Sequence, residues 1–287
     1  MSHRYASLRP LFLLAPVILL LLFGCDKSSE VSASRAVEHA KMLVSATRSD
    51  VDEIKKGMPS GAEQIISSWD GSHPARDDLP RVRELLDLAR VKVQDLRVAK
   101  STFFAWVDLD GTVLRTDREP DVMAGHNFLS SFPDVRACLE GRTVQARGSM
   151  PEASAVRGRP DGQWVYAVPL KIESKVRAIY ATGWSWSAYA YRLENAVRSD
   201  IRSHLGDNDK EPLIYVYVVV ENSVFGAPIS PTVNADAIKK LSVLTKLGKS
   251  DSYKTVLEIT GRSFGLGVAS APSLGKDVAV AVLRSET

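Results

Sequence analysis

The apolar residues of this chain change their period near Thr102, and that change limits the folds open to it. Upstream, they recur at alternating spacings of three and four, which predicts an amphipathic helix whose stripe is Val37, Ala40, Val44, Thr47, Val51, Ile54 and Met58. Downstream, short apolar runs alternate with turn residues, as is typical of antiparallel strands. The sequence therefore predicts an α+β fold in which long N-terminal helices precede two modules with antiparallel sheets.

Glycine and proline place the first interruption in the helical region. Gly57, Pro59 and Gly61 are predicted to end the first helix. A second stripe then predicts another helix, through Val82, Leu85, Ala89, Val93, Leu96 and Ala99. We expect the two apolar stripes to pack on each other, because each alone would expose its hydrophobic face to water.

The region after Thr102 divides into two similar sets of elements. A hairpin with its turn at Gly111 is followed by a loop-and-helix region, strands at 163–172 and 176–186, and a helix with Tyr189 to Leu205 on its buried edge. The second set predicts strands at 213–220 and near Phe225, a helix at 235–247 capped by Asn234, and strands at 255–260, 263–269 and 277–284. Any duplication is therefore one of architecture.

The N-terminus has the features of an export signal. Arg4 and Arg9 precede an apolar run from Leu11 to Phe23, which is shorter than the about 20 residues of a membrane-spanning helix. Leu22-Phe23-Gly24-Cys25 resembles the lipobox of bacterial lipoproteins, and a polar stretch follows it. The resemblance implies cleavage after residue 24 and acylation of Cys25, which would anchor an exported protein on the periplasmic side of a membrane or at the cell surface. An ordinary secretory signal with an incidental Cys25 is the alternative.

The order of short motifs between residues 100 and 200 resembles that of the Cache family of extracytoplasmic, PAS-like sensor domains. These motifs are VDLDGTVLRTD, MAGHNFLSSFPDVRACLEGR, GQWVYAVPL and VRAIYATGWSWSAYA. The resemblance implies a tether and helices over 25–100, a membrane-distal module over 101–190, a connecting helix over 191–211 and a smaller membrane-proximal module over 212–287. Cache modules usually signal through a following transmembrane helix, whereas only a short stretch follows Arg284, so we expect output through a partner such as a membrane sensor protein.

The same resemblance implies a small-molecule ligand, such as an amino acid, a carboxylate or an amine, bound between the first sheet and the segment after its hairpin. Aromatic residues on the strands are candidate walls of that pocket, and these are Trp106, Trp164, Tyr166, Tyr180 and Trp184. Arg142 and Arg147 are candidates to bind a carboxylate, and His126 is a candidate hydrogen-bonding group. Plain core packing explains the aromatic residues as well, and a solvated charged loop explains the arginines.

Two alternatives to a sensor remain open. Asp108-Leu109-Asp110-Gly111-Thr112 resembles the DxDGT motif of haloacid dehalogenase-like phosphatases, which use magnesium and an aspartate nucleophile. The same residues are good hairpin-turn chemistry, and that interpretation is favoured because the later motifs of a phosphatase are missing. A structural envelope lipoprotein is the other alternative.

Several classes of function are disfavoured by composition. A net charge of +3 is too weak to indicate a nucleic-acid partner. The histidines have no metal-ligand spacing, so neither a metal nor a cofactor is predicted. Cys138 is predicted to be a buried structural thiol. We therefore expect a binding protein without enzymatic activity.

Overall fold

The computed structural model describes residues 15–69, 71, 74–153, 161–206, 209–248 and 250–286, with side chains described from residue 28 onward. Most of the predicted export signal lies outside these residues. The side chain of Cys25, the predicted lipidation site, is likewise outside them. The acylation of Cys25 and the cleavage after residue 24 therefore stay predictions.

One helix dominates the N-terminal region. Helix α1 spans Ala15–Ser68 and includes Pro59 in its interior, so the predicted break near residue 57 is wrong. The serine-rich stretch after Cys25, expected to be a tether, is also helical. Gly57 and Gly61 are sites of close packing, since a Cβ atom at either position would lie within 2.7 Å of the Leu96 side chain. These glycines let another helix approach α1, and the sequence pattern alone does not distinguish this role from a helix end.

The second predicted helix is divided in two. A short 3₁₀ segment (Ala75–Asp77) leads into α2 (Leu79–Lys92), and α3 (Gln94–Val98) follows after an extended residue at Val93. Asp78 caps α2 by accepting a hydrogen bond from the Arg81 backbone N–H at 3.1 Å. Both helices pack against α1, as the paired apolar stripes predicted.

The first sheet has the strand order β2-β1-β5-β4-β3 and is antiparallel throughout. Its strands are β1 (Phe103–Val107), β2 (Val113–Thr116), β3 (Val144–Gly148), β4 (Gln163–Ile172) and β5 (Lys175–Ser185). Helix α4 (Phe128–Ser131) and a 3₁₀ segment (Pro133–Glu140) lie between β2 and β3. The hairpin of β1 and β2 is confirmed, and Gly111 in its turn has φ of 89°.

Helix α5 (Trp186–His204) leads to a second sheet of order β7-β6-β10-β9-β8, again antiparallel. Its strands are β6 (Leu213–Val220), β7 (Ser223–Gly226), β8 (Ser252–Ile259), β9 (Arg262–Ser270) and β10 (Val278–Ser285). Helices α6 (Thr232–Lys240) and α7 (Val243–Leu247) lie between β7 and β8. When the strands of each sheet are numbered from 1 to 5 along the chain, both sheets have the order 2-1-5-4-3. The predicted α+β fold with two PAS-like modules is therefore confirmed.

Three local predictions differ from the structure. Trp186, expected on the last strand of the first sheet, is the first residue of α5. Strand β3 lies inside the region expected to contain only loop and helix, where it pairs with β4. Asn234, expected to cap a helix, is a buried residue inside α6, whose N-cap is Pro231. The errors at Trp186 and Asn234 lie at element boundaries, where the local pattern is too short to fix the structure.

Helix α1 packs on both sheets and joins the two modules. Its N-terminal part lies on the second sheet, where a Cβ atom at Gly265 would be 2.1 Å from the Ala33 backbone nitrogen. Its C-terminal part lies against the first sheet, where a Cβ atom at Gly61 would be 2.9 Å from the Tyr180 ring. The shared core therefore extends without a break from one module to the other. In the described part of the chain, none of the helices has the length and apolar character that a bilayer-spanning segment requires.

Candidate functional site

The space between the first sheet and the segment after its hairpin is filled by apolar side chains. Phe128 and Phe132 face the sheet with ring centroids 4.5 Å apart, and Cys138 is buried in the same cluster. Burial raises the pKa of the Cys138 thiol to about 12, consistent with a packed structural residue. The site expected for a ligand from the family resemblance is therefore occupied by the protein's own core.

Four of the predicted wall residues lie on the opposite face of the first sheet, toward the helices. These are Trp106, Trp164, Tyr180 and Trp184, all at most 1% exposed. Trp164 stacks on Trp184 with ring centroids 4.4 Å apart, and Tyr166 stacks on the far side of Trp164 at 6.4 Å. The strand alternation correctly placed these residues on one face. It did not indicate which layer that face packs against.

The stack continues into helix α5. Tyr189 lies on Trp184 with centroids 4.4 Å apart, and its hydroxyl donates a 2.9 Å hydrogen bond to Asp50 in α1. Arg192 is a second partner of Asp50, at 3.5 Å. Burial raises the pKa of Asp50, while Arg192 and the Tyr189 hydroxyl act to lower it. We call the series Tyr166, Trp164, Trp184 and Tyr189 the aromatic column; it connects strand β4 to both long helices.

Trp106 borders open space as well as core. Trp69, which follows α1, meets it edge to face with ring centroids 4.8 Å apart. Cavities of about 550 and 630 Å³ adjoin this pair, and both are lined by Trp69, Pro74, Ala75 and Trp106. The Trp106 Nε1–H is buried and has no hydrogen-bond partner. We call these two cavities together the Trp groove.

Charged residues surround the Trp groove. Arg81 and Asp78 line the first cavity, and Arg177 and Asp108 line the second. Arg76 forms ion pairs with both Asp108 and Asp110, which connects the loop before α2 to the β1–β2 turn. The groove thus combines aromatic walls with charges of both signs, a composition suited to a small polar ligand with an apolar part.

The remaining predicted site residues are dispersed. His126 is exposed, and Arg142 forms an exposed ion pair with Glu140 at 2.6 Å. Arg147 reaches the second module, where its guanidinium contacts Asp277 at 2.9 Å and Glu221 at 3.6 Å. The structure therefore brings none of these three residues to the Trp groove or to the aromatic column.

The geometry around Asp108 is that of a hairpin turn. Asp110 accepts a hydrogen bond from the Thr112 backbone N–H at 2.9 Å. This bond, with the Arg76 side chain, lowers the pKa of Asp110 to about 2. Both sheets are antiparallel, whereas the phosphatase alternative requires a parallel sheet. The DxDGT resemblance is therefore not supported. Among the described residues, no group of three or more potential ligands is placed to hold a metal ion.

A further cleft lies between the two modules. It has a volume of about 340 Å³ and is bordered on one side by Asp161, Gly162 and Ser187. Its other side is formed by β6, β7, α6 and the loop before α6. The lining residues on that side include Tyr217, Phe225, Ser230, Asp236 and Lys239. We call it the intermodule cleft. Sequence analysis did not select any of its residues, because they come from distant segments and form no local motif.

Comparison with known proteins gives structural matches only. Models of protein families and curated proteins give no match to this sequence. A domain of a sensory box/GGDEF family protein from Vibrio parahaemolyticus has a TM-score of 0.62 at 10% identity, over 91% of this chain and 98% of that one. The extracellular domain of the histidine kinase vpHK1S-Z8 has a TM-score of 0.60 at 9% identity, over 91% and 93%.

An extracellular ligand binding receptor from Desulfohalobium retbaense has a TM-score of 0.51 at 10% identity, over 85% of this chain and 40% of the receptor chain. At these identities the similarity shows the fold. The chain therefore has the same fold as these sensory and extracellular domains, which agrees with the Cache-like fold expected from its sequence.

Proposed function

We propose that this protein is an exported, lipid-anchored sensory module that binds a small molecule and passes the signal to a partner in the membrane. The main support is its architecture: two PAS-like sheets of the same strand order share helix α1. A ligand that moves one module relative to α1 would change the position of the other module, because packed interfaces transmit strain.

The membrane end of the molecule follows from the direction of α1. If Cys25 carries acyl chains, the second sheet is the part nearer the membrane, because α1 lies on it close to residue 33. Residues 101–190 then form the distal module, and residues 212–287 form the proximal one. A partner such as a membrane sensor protein would contact the proximal module.

We propose the Trp groove as the ligand site of the distal module. Trp69 and Trp106 supply aromatic surface, and the unpartnered Trp106 Nε1–H supplies a hydrogen-bond donor. Arg81 and Asp78 offer charges to a carboxylate or an amine. Of the predicted wall residues, this proposal retains Trp106 as a ligand contact. It assigns a structural role to the others, which are Trp164, Tyr166, Tyr180 and Trp184.

A thermal-shift screen of the purified full-length protein against amino acids, carboxylates and amines tests the proposal. A ligand at 100 times its dissociation constant stabilises the folded state by about 2.7 kcal/mol. Trp106→Phe keeps an aromatic, though smaller, side chain but removes the Nε1–H, so we expect affinity for a hit to fall about tenfold. Trp164→Phe is the matched control, because its Nε1–H is also buried without a partner but does not line the groove.

Equal affinities of the two variants would contradict the assignment of the groove. A flat response across the whole screen would contradict ligand binding and favour a structural envelope role.

The anchor has its own test, since Cys25→Ser is expected to release the protein from the membrane fraction or to leave its signal uncleaved. An unchanged membrane fraction with normal cleavage would contradict acylation.

A further inference from the structure

We propose that the intermodule cleft is a second binding site, distinct from the Trp groove, and that it takes a small organic amine with an apolar body. Its two sides belong to different modules: Asp161 and Ser187 lie at the first sheet and the start of α5, and Tyr217, Phe225 and Ser230 belong to the second module. An occupant would therefore contact both modules at once.

The start of α5 offers no backbone donor to an anion. Ser187 N–H donates to Asp161 Oδ1 at 3.3 Å, and Ala188 N–H donates to the Ser185 hydroxyl at 3.3 Å. Trp186 N–H donates to the Gly162 carbonyl at 2.9 Å. The first donors of the helix are thus used within the protein, so the positive end of the helix dipole already has a carboxylate.

Asp161 has one carboxylate oxygen left for a ligand. Its Oδ1 accepts from the Gly162 and Ser187 backbone N–H groups, whereas its Oδ2 is buried without a hydrogen-bond partner. A buried acceptor without a donor destabilises the folded state, and a charged acceptor does so more strongly. Burial raises the pKa of Asp161, while the Ser187 backbone N–H and the nearby hydroxyls of Ser185 and Ser187 act against the rise, although neither hydroxyl forms a hydrogen bond of normal geometry with Oδ2. An ammonium group at Oδ2 would supply both the donor and the opposite charge.

The opposite wall supplies hydrogen-bonding groups and apolar surface. Tyr217 and Ser230 are both more than nine-tenths buried, and the Tyr217 hydroxyl lies near the side chains of Asn234 and Ser230, although neither hydroxyl makes a hydrogen bond of normal geometry. Phe225 is half-buried at the same wall and has the aromatic face that an apolar body would contact. Tyr217 fits closely beside Gly226, where a Cβ atom would lie 2.6 Å from the tyrosine ring.

The charges at the cleft favour a cation. Asp161 and Asp236 both line it. Among the described lining residues the basic one is Lys239, which is exposed on α6. No arginine is among these lining residues, so the cleft has no bidentate partner for a carboxylate. A volume of about 340 Å³ is at the lower end of the range for small-molecule sites and suits a compact amine.

Three probes of similar size separate charge from shape: phenethylamine, 2-phenylethanol and 3-phenylpropionate. We would measure their binding to the full-length protein by titration calorimetry. Phenethylamine is expected to bind at least tenfold more tightly than the alcohol, and the carboxylate more weakly than either. Equal binding of amine and alcohol, or no detectable amine binding at millimolar concentration, would overturn the proposal.

Matched variants locate the binding. Asp161→Asn is expected to weaken phenethylamine binding at least tenfold, whereas Asp251→Asn, which removes an exposed carboxylate outside the cleft, leaves it unchanged. Trp106→Phe is also expected to leave it unchanged, which separates this site from the Trp groove. Loss of binding in Trp106→Phe with retention in Asp161→Asn would assign the amine to the groove and refute the cleft site.

A pH series on the unmodified protein gives a test that does not depend on a variant that folds. Phenethylamine stays protonated below neutral pH, and the described residues that line the cleft include the carboxylates of Asp161 and Asp236 but no histidine. Affinity is expected to fall as the pH is lowered through the raised pKa of Asp161. A constant affinity down to the pH at which the protein unfolds would refute the role of Asp161.

Discussion

The two modules have the same strand order but fit α1 in opposite ways. In the first module the glycines are on the helix, where Gly57 and Gly61 receive the side chains of Leu96 and Tyr180. In the second module the glycines are on the sheet, where Gly265 and Gly267 lie against the α1 backbone. The first interface is therefore filled by large side chains, and the second is closed by direct backbone approach.

This difference shows that a common topology does not dictate a common core. The first sheet presents tryptophan and tyrosine to the helices, with Trp184 at the centre of the aromatic column. The second sheet presents mainly Val and Ala, including Val280 and Val282. Buried tryptophan and tyrosine carry a polar N–H or O–H group that needs a partner, whereas valine and alanine side chains do not. The Trp groove, with the unpartnered Trp106 Nε1–H, lies on this aromatic side.

The largest expected effect comes from removing the central ring of the column. Trp184→Ala should lower the free energy of unfolding by about 3–5 kcal/mol, because it leaves a cavity between Trp164 and Tyr189. Val280→Ala, on the helix-facing side of the second sheet, should cost about 2 kcal/mol. Chemical denaturation of both variants measures the difference. Equal costs would show that the two cores are energetically alike.

Glycine-to-alanine changes test the two interfaces directly. At Gly267 the new Cβ atom would lie 2.1 Å from the Val37 backbone nitrogen, so α1 must move and we expect a loss of about 3 kcal/mol. At Gly61 the nearest atoms belong to the side chains of Leu96 and Tyr180, which can adjust. The better helix propensity of alanine, about 1 kcal/mol, offsets part of that cost. Similar losses in thermal denaturation at the two positions would contradict this comparison.

The hydrogen bond at the end of the column should have a moderate effect. Tyr189→Phe removes a donor from the buried carboxylate of Asp50, at a cost of about 2 kcal/mol. Burial raises the pKa of Asp50 above its ordinary 3.8, so the folded state binds a proton more tightly than the unfolded state. The stability that protonation of Asp50 contributes at low pH is therefore lost as the pH rises through the raised pKa of Asp50.

Comparison with Asp50→Asn isolates that pH dependence. The stability of the unmodified protein relative to this variant should be greatest at acid pH and should decrease as the pH rises above 3.8. Asp52→Asn, at an exposed position of the same helix, controls for the loss of one charge. If the stability of the unmodified protein relative to Asp50→Asn instead increased with rising pH, the effect of Arg192 and Tyr189 on the pKa of Asp50 would outweigh that of burial.

The smallest expected effect is at the contact between the modules. Arg147 pairs with Asp277 at 2.9 Å, and both side chains are about one-third exposed. Arg147→Met should lower the free energy of unfolding by about 1 kcal/mol or less, because exposed ion pairs are screened by water and salt. The difference should decrease further in 1 M salt. A larger, salt-independent loss would mean that this pair fixes the arrangement of the modules.

Much of the fold was predictable because its signals are local. The β1–β2 hairpin needs only alternating apolar residues and a turn with a glycine of positive φ at Gly111, and both are visible in the sequence. Strands β4 and β6 were predicted at their observed bounds for the same reason. Strand β3 was missed because its five residues carry one buried position, so its alternation is too weak to read.

The two proposed sites were predictable only in part. Trp106 was correctly singled out as a strand aromatic, but its place beside Trp69 depends on a loop that joins two helices. The intermodule cleft gave no signal, since Asp161 and Tyr217 are brought together by packing and belong to separate elements. Alternation tells which residues share a face of a strand, but the partner of that face is decided by tertiary contacts.

The sequence by itself determined the helical first part, the two sets of short strands and the turn at Gly111, because periodicity and turn chemistry act over a few residues. Only the tertiary structure decided that α1 continues through Pro59, that the aromatic residues face the helices and that the expected pocket is filled. These features depend on how distant surfaces fit together, since volume and backbone approach are properties of pairs of elements.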